Sequence, residues 1–267
     1  MPQVGLGVWQ TPPETTERAV GAALDAGYRH VDTAAGYFNE REVGKAIENA
    51  ATSGLSRKDV FVTTKLWNAD QGYDRTLAAF DASMARLGFS GSDDYLDLYL
   101  IHWPMPAKGT FVDTFKAFAH LRDQGRIRSI GVSNFEPEHL RILVDATGIV
   151  PAVNQIELHP LLQQQELRDV HAQLGIATEA WSPLGQGSLL SDPTVTAVAD
   201  AHGKTPAQVL IRWHIQLGNI VIPKQVTPQR IVSNIDVFDF ELTEPDMASI
   251  SSLGDGTRLD PDPRTFN

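Results

Sequence analysis

The chain alternates two hydrophobic rhythms. Short apolar, β-branched runs recur at residues 4–9, 28–34, 60–66, 96–102, 127–133, 152–158, 176–182 and 219–224, and each reads as a strand. Between them the apolar spacing changes to threes and fours, as in Leu77, Phe80, Met84 and Leu87, or Phe111, Phe115, Phe118 and Leu121. That spacing puts one face of a helix against a core. Thr11-Pro12-Pro13-Glu14 and Thr205-Pro206-Ala207-Gln208 read as helix starts, with a capping Thr, Pro in the first turn and a reciprocal Glu or Gln. Gly27 and Gly148 stand where a helix closes in a left-handed turn. A ninth run, 237–242, follows Lys224 too closely for another parallel crossover, because residues 228–234 already read as a short helix. It is placed outside the sheet.

Strand starts fall 24 to 43 residues apart with no flexible linker between them, so residues 1–267 read as one domain, with an irregular Asp-, Pro- and Gly-rich tail at 254–267. Eight strands each followed by a helix predict a (β/α)8 TIM barrel, a fold whose chemistry collects at the C-terminal ends of the strands. A doubly wound sheet is disfavoured: Gly5-Leu6-Gly7 and Gly185-Gln186-Gly187 both lack the third glycine of the dinucleotide fingerprint.

Composition narrows the partners. With 22 basic against 33 acidic residues, a net charge of -11 and no basic run, nucleic-acid binding is disfavoured. No stretch reaches the roughly 18 apolar residues of a membrane span, and Met1-Pro2-Gln3-Val4-Gly5 carries no export signal. The absence of cysteine excludes disulfides, thiolate zinc sites and cysteine nucleophiles, and fits a reducing cytoplasm. Cytoplasmic location is the expectation.

The strand ends are strongly polar. Asp32 and Tyr37 follow the second strand, Lys65 the third, His102 the fourth, and Ser133 with Asn134 the fifth. Gln155 lies in the sixth, Trp181 and Ser182 end the seventh, and Lys224 closes the eighth. Singly, each is explained by strand ends meeting solvent. Asp, Tyr, Lys and His on three consecutive strand ends instead suggest general-acid chemistry at a phenol, with Lys65 lowering the Tyr37 pKa, Asp32 keeping Lys65 charged, and His102 donating to a substrate oxygen. His159 also ends a strand, and position alone does not rank it below His102. No HExxH or comparable ligand pair supports a metal.

These segments resemble the aldo-keto reductases. The likeness is carried in order by residues 32–40 (DTAAGYFNE), 64–67 (TKLW), 100–104 (LIHWP), 130–135 (IGVSNF), 153–157 (VNQIE) and 222–224 (IPK), and is nearest to the bacterial branch containing the 2,5-diketo-D-gluconate reductases. It implies a (β/α)8 barrel binding NADPH, with Tyr37 as proton donor, Lys65 and Asp32 tuning it, and His102 orienting the carbonyl. It further implies that Ser133, Asn134 and Gln155 hydrogen-bond the nicotinamide carboxamide and that Trp181 stacks on the ring. The loop 182–187, including Ser182, Leu184, Gln186 and Gly187, would follow the pyrophosphate; Lys224 and Arg230 would hold the 2′-phosphate, with Asn234 near adenine. Trp9 and Trp103 match substrate-pocket positions, and Phe38 and Trp67 stand near enough to join them.

Departures from the pattern carry expectations too. Gln225 and Val226 follow Lys224 where many members have Ser, and Thr227 replaces an Arg of some relatives, which would blunt the preference for NADPH. Phe38 replaces the usual Gly and would narrow the pocket. The start lies almost inside the first strand, without the hairpin that normally plugs the barrel floor. The resulting expectation is a monomeric NADPH-dependent reductase of small aldehydes, α-dicarbonyls or keto sugars, with no obligate protein partner. Two competing readings are a catalytically weak nicotinamide-nucleotide sensor on the same barrel and a cofactor-free isomerase using Lys65 or His102.

Overall fold

In the computed structural model, which describes residues 1–89, 91 and 94–267, the two hydrophobic rhythms become alternating strands and helices, with two helices rather than one after the seventh and the eighth strand. The order is β1 (Leu6–Gly7), α1 (Pro13–Asp25), β2 (His30–Asp32), α2 (Glu40–Ala50), β3 (Phe61–Leu66), α3 (Tyr73–Leu87), β4 (Leu96–Ile101), α4 (Phe111–Asp123) and β5 (Ile127–Ser133). It continues with α5 (Pro137–Thr147), β6 (Val153–Glu157), α6 (Gln165–Leu174), β7 (Ala177–Trp181), α7 (Pro193–His202), α8 (Pro206–Gln216), β8 (Ile220–Val221), α9 (Pro228–Ile235) and α10 (Glu244–Ser251).

The strands pair in sequence order, all in parallel. Parallel bridges from Val4 to Val221 and from Gly7 to Lys224 join the first strand to the last and close the ring. The seam is held by Gly5 N donating to Val221 O at 2.8 Å and Val221 N donating to Gln3 O at 2.9 Å. The expected (β/α)8 barrel is therefore the observed fold. The run 237–242 forms neither strand nor helix.

The main core lies between sheet and helices, where Phe80, Phe115, Phe118 and Leu121 are buried from the helix side against Tyr99 and Ile101. Inside the ring, Leu98, Leu100 and Val153 form a separate small apolar plug, with Phe61 and Ala177 against it. Gly131 permits this packing, since a Cβ there would stand 2.6 Å from Val153 O and 2.8 Å from Leu100 Cδ2. Inward positions nearer the C-terminal ends are polar instead: His30, Asp32, Thr63, Lys65, Gln155 and Glu179 are all essentially inaccessible.

One helix start follows the sequence reading and one departs from it. Thr205 caps α8, with its hydroxyl accepting from Gln208 N at 3.3 Å and its N–H donating to Gln208 Oε1 at 2.9 Å. At α1 the cap position falls on Pro12, without a side-chain cap. Thr11 is instead buried one residue upstream, its carbonyl taken by Asn39 Nδ2 at 3.1 Å.

Candidate active site

The C-terminal ends of the strands enclose a cavity of about 560 Å³. Its reactive centre is built on Lys65, whose place on β3 turns the side chain into the barrel axis. The ammonium donates to Asp32 Oδ1 at 2.6 Å, to Thr33 O at 3.0 Å and to the Tyr37 hydroxyl at 3.2 Å. All three of its protons are thereby used. Burial pulls the Lys65 pKa down, but the Asp32 and Tyr37 charges outweigh it and hold the group above its ordinary value. Burial likewise raises Asp32 against the opposing pull of Lys65.

Tyr37 ends a short turn that begins at Ala35. Gly36 in that turn is required by close approach, because a Cβ would fall 2.4 Å from the Trp67 ring. Burial keeps the Tyr37 phenol above 10.0, with Lys65 pulling the other way and Asp32 adding to the rise. The expected net lowering by Lys65 is thus reversed by desolvation. The His102 ring meets Tyr37 edge to face at 5.6 Å and Trp67 at 5.5 Å. Burial, then the Lys65 charge, push its pKa well below the usual value, so the imidazole is neutral near pH 7.

A second cluster joins strands β5, β6 and β7. Ser133 Oγ donates to Gln155 O at 2.8 Å, Asn134 Nδ2 to His102 O at 3.0 Å, and Trp181 Nε1 to Asn134 Oδ1 at 2.9 Å. Asn134 holds φ 63° and Ser182 φ 48°, left-handed values that turn each chain segment sharply at the strand end. The loop after β7 continues with Gln186 and Gly187, also left-handed, at φ 52° and 93°.

Most of the residues singled out from sequence meet in this cavity. Its lining includes Asp32, Tyr37, His102, Ser133, Asn134, Gln155, Trp181, Ser182, Leu184, Gln186, Gly187 and Lys224, together with Trp9, Trp67 and Trp103. Lys65 lies beneath that lining, fully buried. Arg230 and Asn234 stand outside it, four residues apart on α9, with Arg230 exposed and Asn234 buried. Asn234 Nδ2 has no hydrogen-bond partner. Phe38 also lies outside the lining: its left-handed backbone, φ 58°, leaves the side chain 83% exposed. His159 is enclosed and faces Glu157 at 3.1 Å, away from the lining.

Two contributors escape a reading by motif. Asp260, in the tail, reaches the lining because Glu157 holds the tail in place: Oε1 accepts from Leu259 N at 2.6 Å, and Oε2 from Asp260 N at 3.4 Å. Asp260 Oδ2 then accepts from Gln186 Nε2 at 3.0 Å, linking tail to loop. Glu179 is the other, and its signal was the one charged residue inside the β7 strand.

A polar, donor-rich cavity over the C-terminal mouth of a barrel, with a phenol touching a buried ammonium, defines an enzyme that moves a proton at a carbonyl oxygen. The model of the Aldo/keto reductase family matches residues 2–255, and the chain belongs to that family. It is an oxidoreductase acting on carbonyl groups. An aldo-keto reductase of Mycolicibacterium smegmatis is 76% identical over 267 residues, covering all of this chain and 94% of that protein. A mutant of Gox0644, solved in complex with NADPH, is 51% identical with a TM-score of 0.93, covering 100% of this chain and 95% of its own. A Bombyx mori aldo-keto reductase, solved in complex with NADP, is 38% identical with a TM-score of 0.89, covering 97% and 92%.

Proposed function

We propose that this chain is an NADPH-dependent reductase of small, uncharged aldehydes and α-dicarbonyls, with Tyr37 as proton donor. The observation that carries the reading is the Tyr37 hydroxyl at the cavity wall, 3.2 Å from an ammonium that is itself paired with Asp32 at 2.6 Å. The residues present fit the cofactor: the cavity lining runs from Tyr37 and His102 past Trp181, Ser182 and Gly187 to the cation of Lys224, and among the described residues Asn234 Nδ2 is buried without a hydrogen-bond partner. When bound, NADPH supplies the hydride.

The protein's own part is positioning and proton supply. Lys65 and Asp32 form a fixed dipole beneath Tyr37, so charge developing on a carbonyl oxygen meets a phenol already hydrogen-bonded to an ammonium. The neutral His102 ring packs against that phenol and can offer one N–H to the same oxygen. Ser133, Asn134 and Gln155 would hold the nicotinamide carboxamide, Trp181 would cover the ring, and Lys224 with Arg230 would hold the 2′-phosphate.

Substrate class follows from the wall. Trp9, Trp67 and Trp103 are apolar surfaces beside the reactive centre, and among the described residues Lys224 is the sole lining cation. Its Nζ already donates to Gln10 O at 3.1 Å. A keto-sugar acid such as diketogluconate would bring a carboxylate without a partner, whereas methylglyoxal or phenylglyoxal presents an apolar body and a reactive oxygen.

The test is NADPH oxidation, followed by absorbance, with methylglyoxal, phenylglyoxal, glyceraldehyde and diketogluconate. Phenylglyoxal is expected to give the highest kcat/KM and diketogluconate the lowest. Tyr37→Phe is expected to lower kcat by about 10²- to 10⁴-fold while NADPH affinity stays unchanged. Equal turnover by the variant, or NADPH binding without reduction of any carbonyl, would reject the assignment.

A further inference from the structure

Gln155 and Glu179 are registered partners on adjacent parallel strands, so both side chains enter the barrel axis at the same height. Gln155 Nε2 donates to two carboxylates at once, Asp32 Oδ2 at 2.8 Å and Glu179 Oε2 at 2.8 Å. An amide nitrogen has two protons, and both are spent. The amide can satisfy two acceptor oxygens only with its nitrogen facing them, which directs Oε1 the other way. No hydrogen bond reaches that oxygen from the described residues, and Gln155 lines the cavity. We infer that Glu179 is a positioning residue: with Asp32 it locks the Gln155 amide so that its carbonyl oxygen faces the cavity as the acceptor for the nicotinamide carboxamide N–H.

Nothing else accounts for a carboxyl at this depth. Glu179 is fully buried and makes no close ion pair with a permanent cation; the nearest basic group to its second oxygen is His30 Nε2, at 3.6 Å. The titratable groups facing it are His30 and Asp32 from β2, Lys65 from β3 and, farther off, Tyr37. Burial, and then the Asp32 charge, push Glu179 up to about 8, while burial takes His30 down to about 3. Near pH 7 a neutral acid therefore faces a neutral imidazole. In that state Oε2 still accepts from Gln155, and the amide keeps its orientation. Glu179 is not itself part of the cavity lining and acts only through Gln155.

The inference rests on the NADPH reading, and the experiment separates the two. Affinities for NADPH and for 2′,5′-ADP, which lacks the nicotinamide half, are measured calorimetrically for the native chain, Glu179→Met, Glu179→Asp and Glu179→Gln. Methionine keeps the volume and removes the acceptor; NADPH affinity is expected to fall about five- to tenfold, the worth of one hydrogen bond, with 2′,5′-ADP unchanged. Aspartate keeps the acid but withdraws its oxygen by one methylene, so the same nicotinamide-specific loss is expected there, which covers a methionine variant that fails to fold. Glutamine imitates the neutral acid and is expected to restore native affinity. Equal losses for both ligands, or no loss in either the methionine or the aspartate variant, would overturn the role of Glu179. A native chain that binds 2′,5′-ADP but not NADPH would overturn the NADPH reading and this inference together.

Discussion

A lysine that keeps its charge without water must find three acceptors, and Lys65 finds them in Asp32, Thr33 and Tyr37. The types and order of these residues made the cluster legible in the sequence. Its depth did not, and depth sets the direction of the phenol's shift: burial outweighs the pull of Lys65, and Tyr37 stays protonated beyond 10.0. The consequence for pH is directional. With Tyr37 as the proposed proton donor, carbonyl reduction consumes the phenol's proton, so its rate is expected not to be limited by Tyr37 ionisation anywhere between about pH 6 and 9. Alcohol oxidation needs the phenolate and is expected to climb across the same range. In Lys65→Met the pull on the phenol is gone, so the climb is expected to move to higher pH. Paired pH profiles of the forward and reverse reactions check this, and an unmoved oxidation limb would count against Lys65 as the tuning charge.

At the scale of elements, short apolar runs located all eight strands, and apolar spacing of threes and fours located α3 and α4, because each must bury one face. What patterning cannot carry is local backbone hand. Phe38 follows Tyr37 in sequence, yet a single left-handed residue turns it into solvent. The tail shows the same limit from the other side. Residues 254–267 have no helix or strand, but they are strapped down: Asp255 and Gly256 donate to Leu161 O at 3.2 and 2.9 Å, and Phe266 lies 4.6 Å from the Trp103 ring. Low apolar content concealed contacts made mostly by backbone groups. Removing residues 259–267 is expected to leave the circular dichroism spectrum intact. It should raise KM for phenylglyoxal by about three- to tenfold, the range of one aromatic contact, with kcat within about twofold. An unchanged KM would show the strap to be uninvolved in the pocket.

For the molecule as a whole, buried histidines govern the acid side of stability. Burial takes His214 and His30 down to about 3 and His171 to about 4. The unfolded chain binds these protons from about pH 6.5, so stability present above that value is lost as pH falls, by about 1.4 kcal/mol per pH unit for each histidine. Glu179, raised to about 8, has the opposite sign. Its contribution is complete below the ordinary glutamate value and declines as pH rises through 8. These depressed histidines, His102 among them, outnumber the raised acids Glu179 and Asp32, so the melting temperature is expected to peak at about pH 6.5 and fall more steeply toward acid. Melting curves from pH 4 to 9 at fixed ionic strength measure it, and a flat acid limb would refute the assignment of these rings as neutral.

The ring is completed by its two shortest strands, β1 and β8, of two residues each. Their junction brings Gly7 against Lys224, chain positions separated by most of the sequence. On the proposed reading a nucleotide phosphate would sit on that same lysine, fastening the joint that is otherwise held by a few backbone hydrogen bonds. The closing seam and the proposed cofactor handle then coincide, and binding adds to the fold's stability in proportion to the logarithm of free nucleotide. Survival of the chain against proteolysis would then follow free NADPH, with persistence tied to the reductant that the proposed reaction spends.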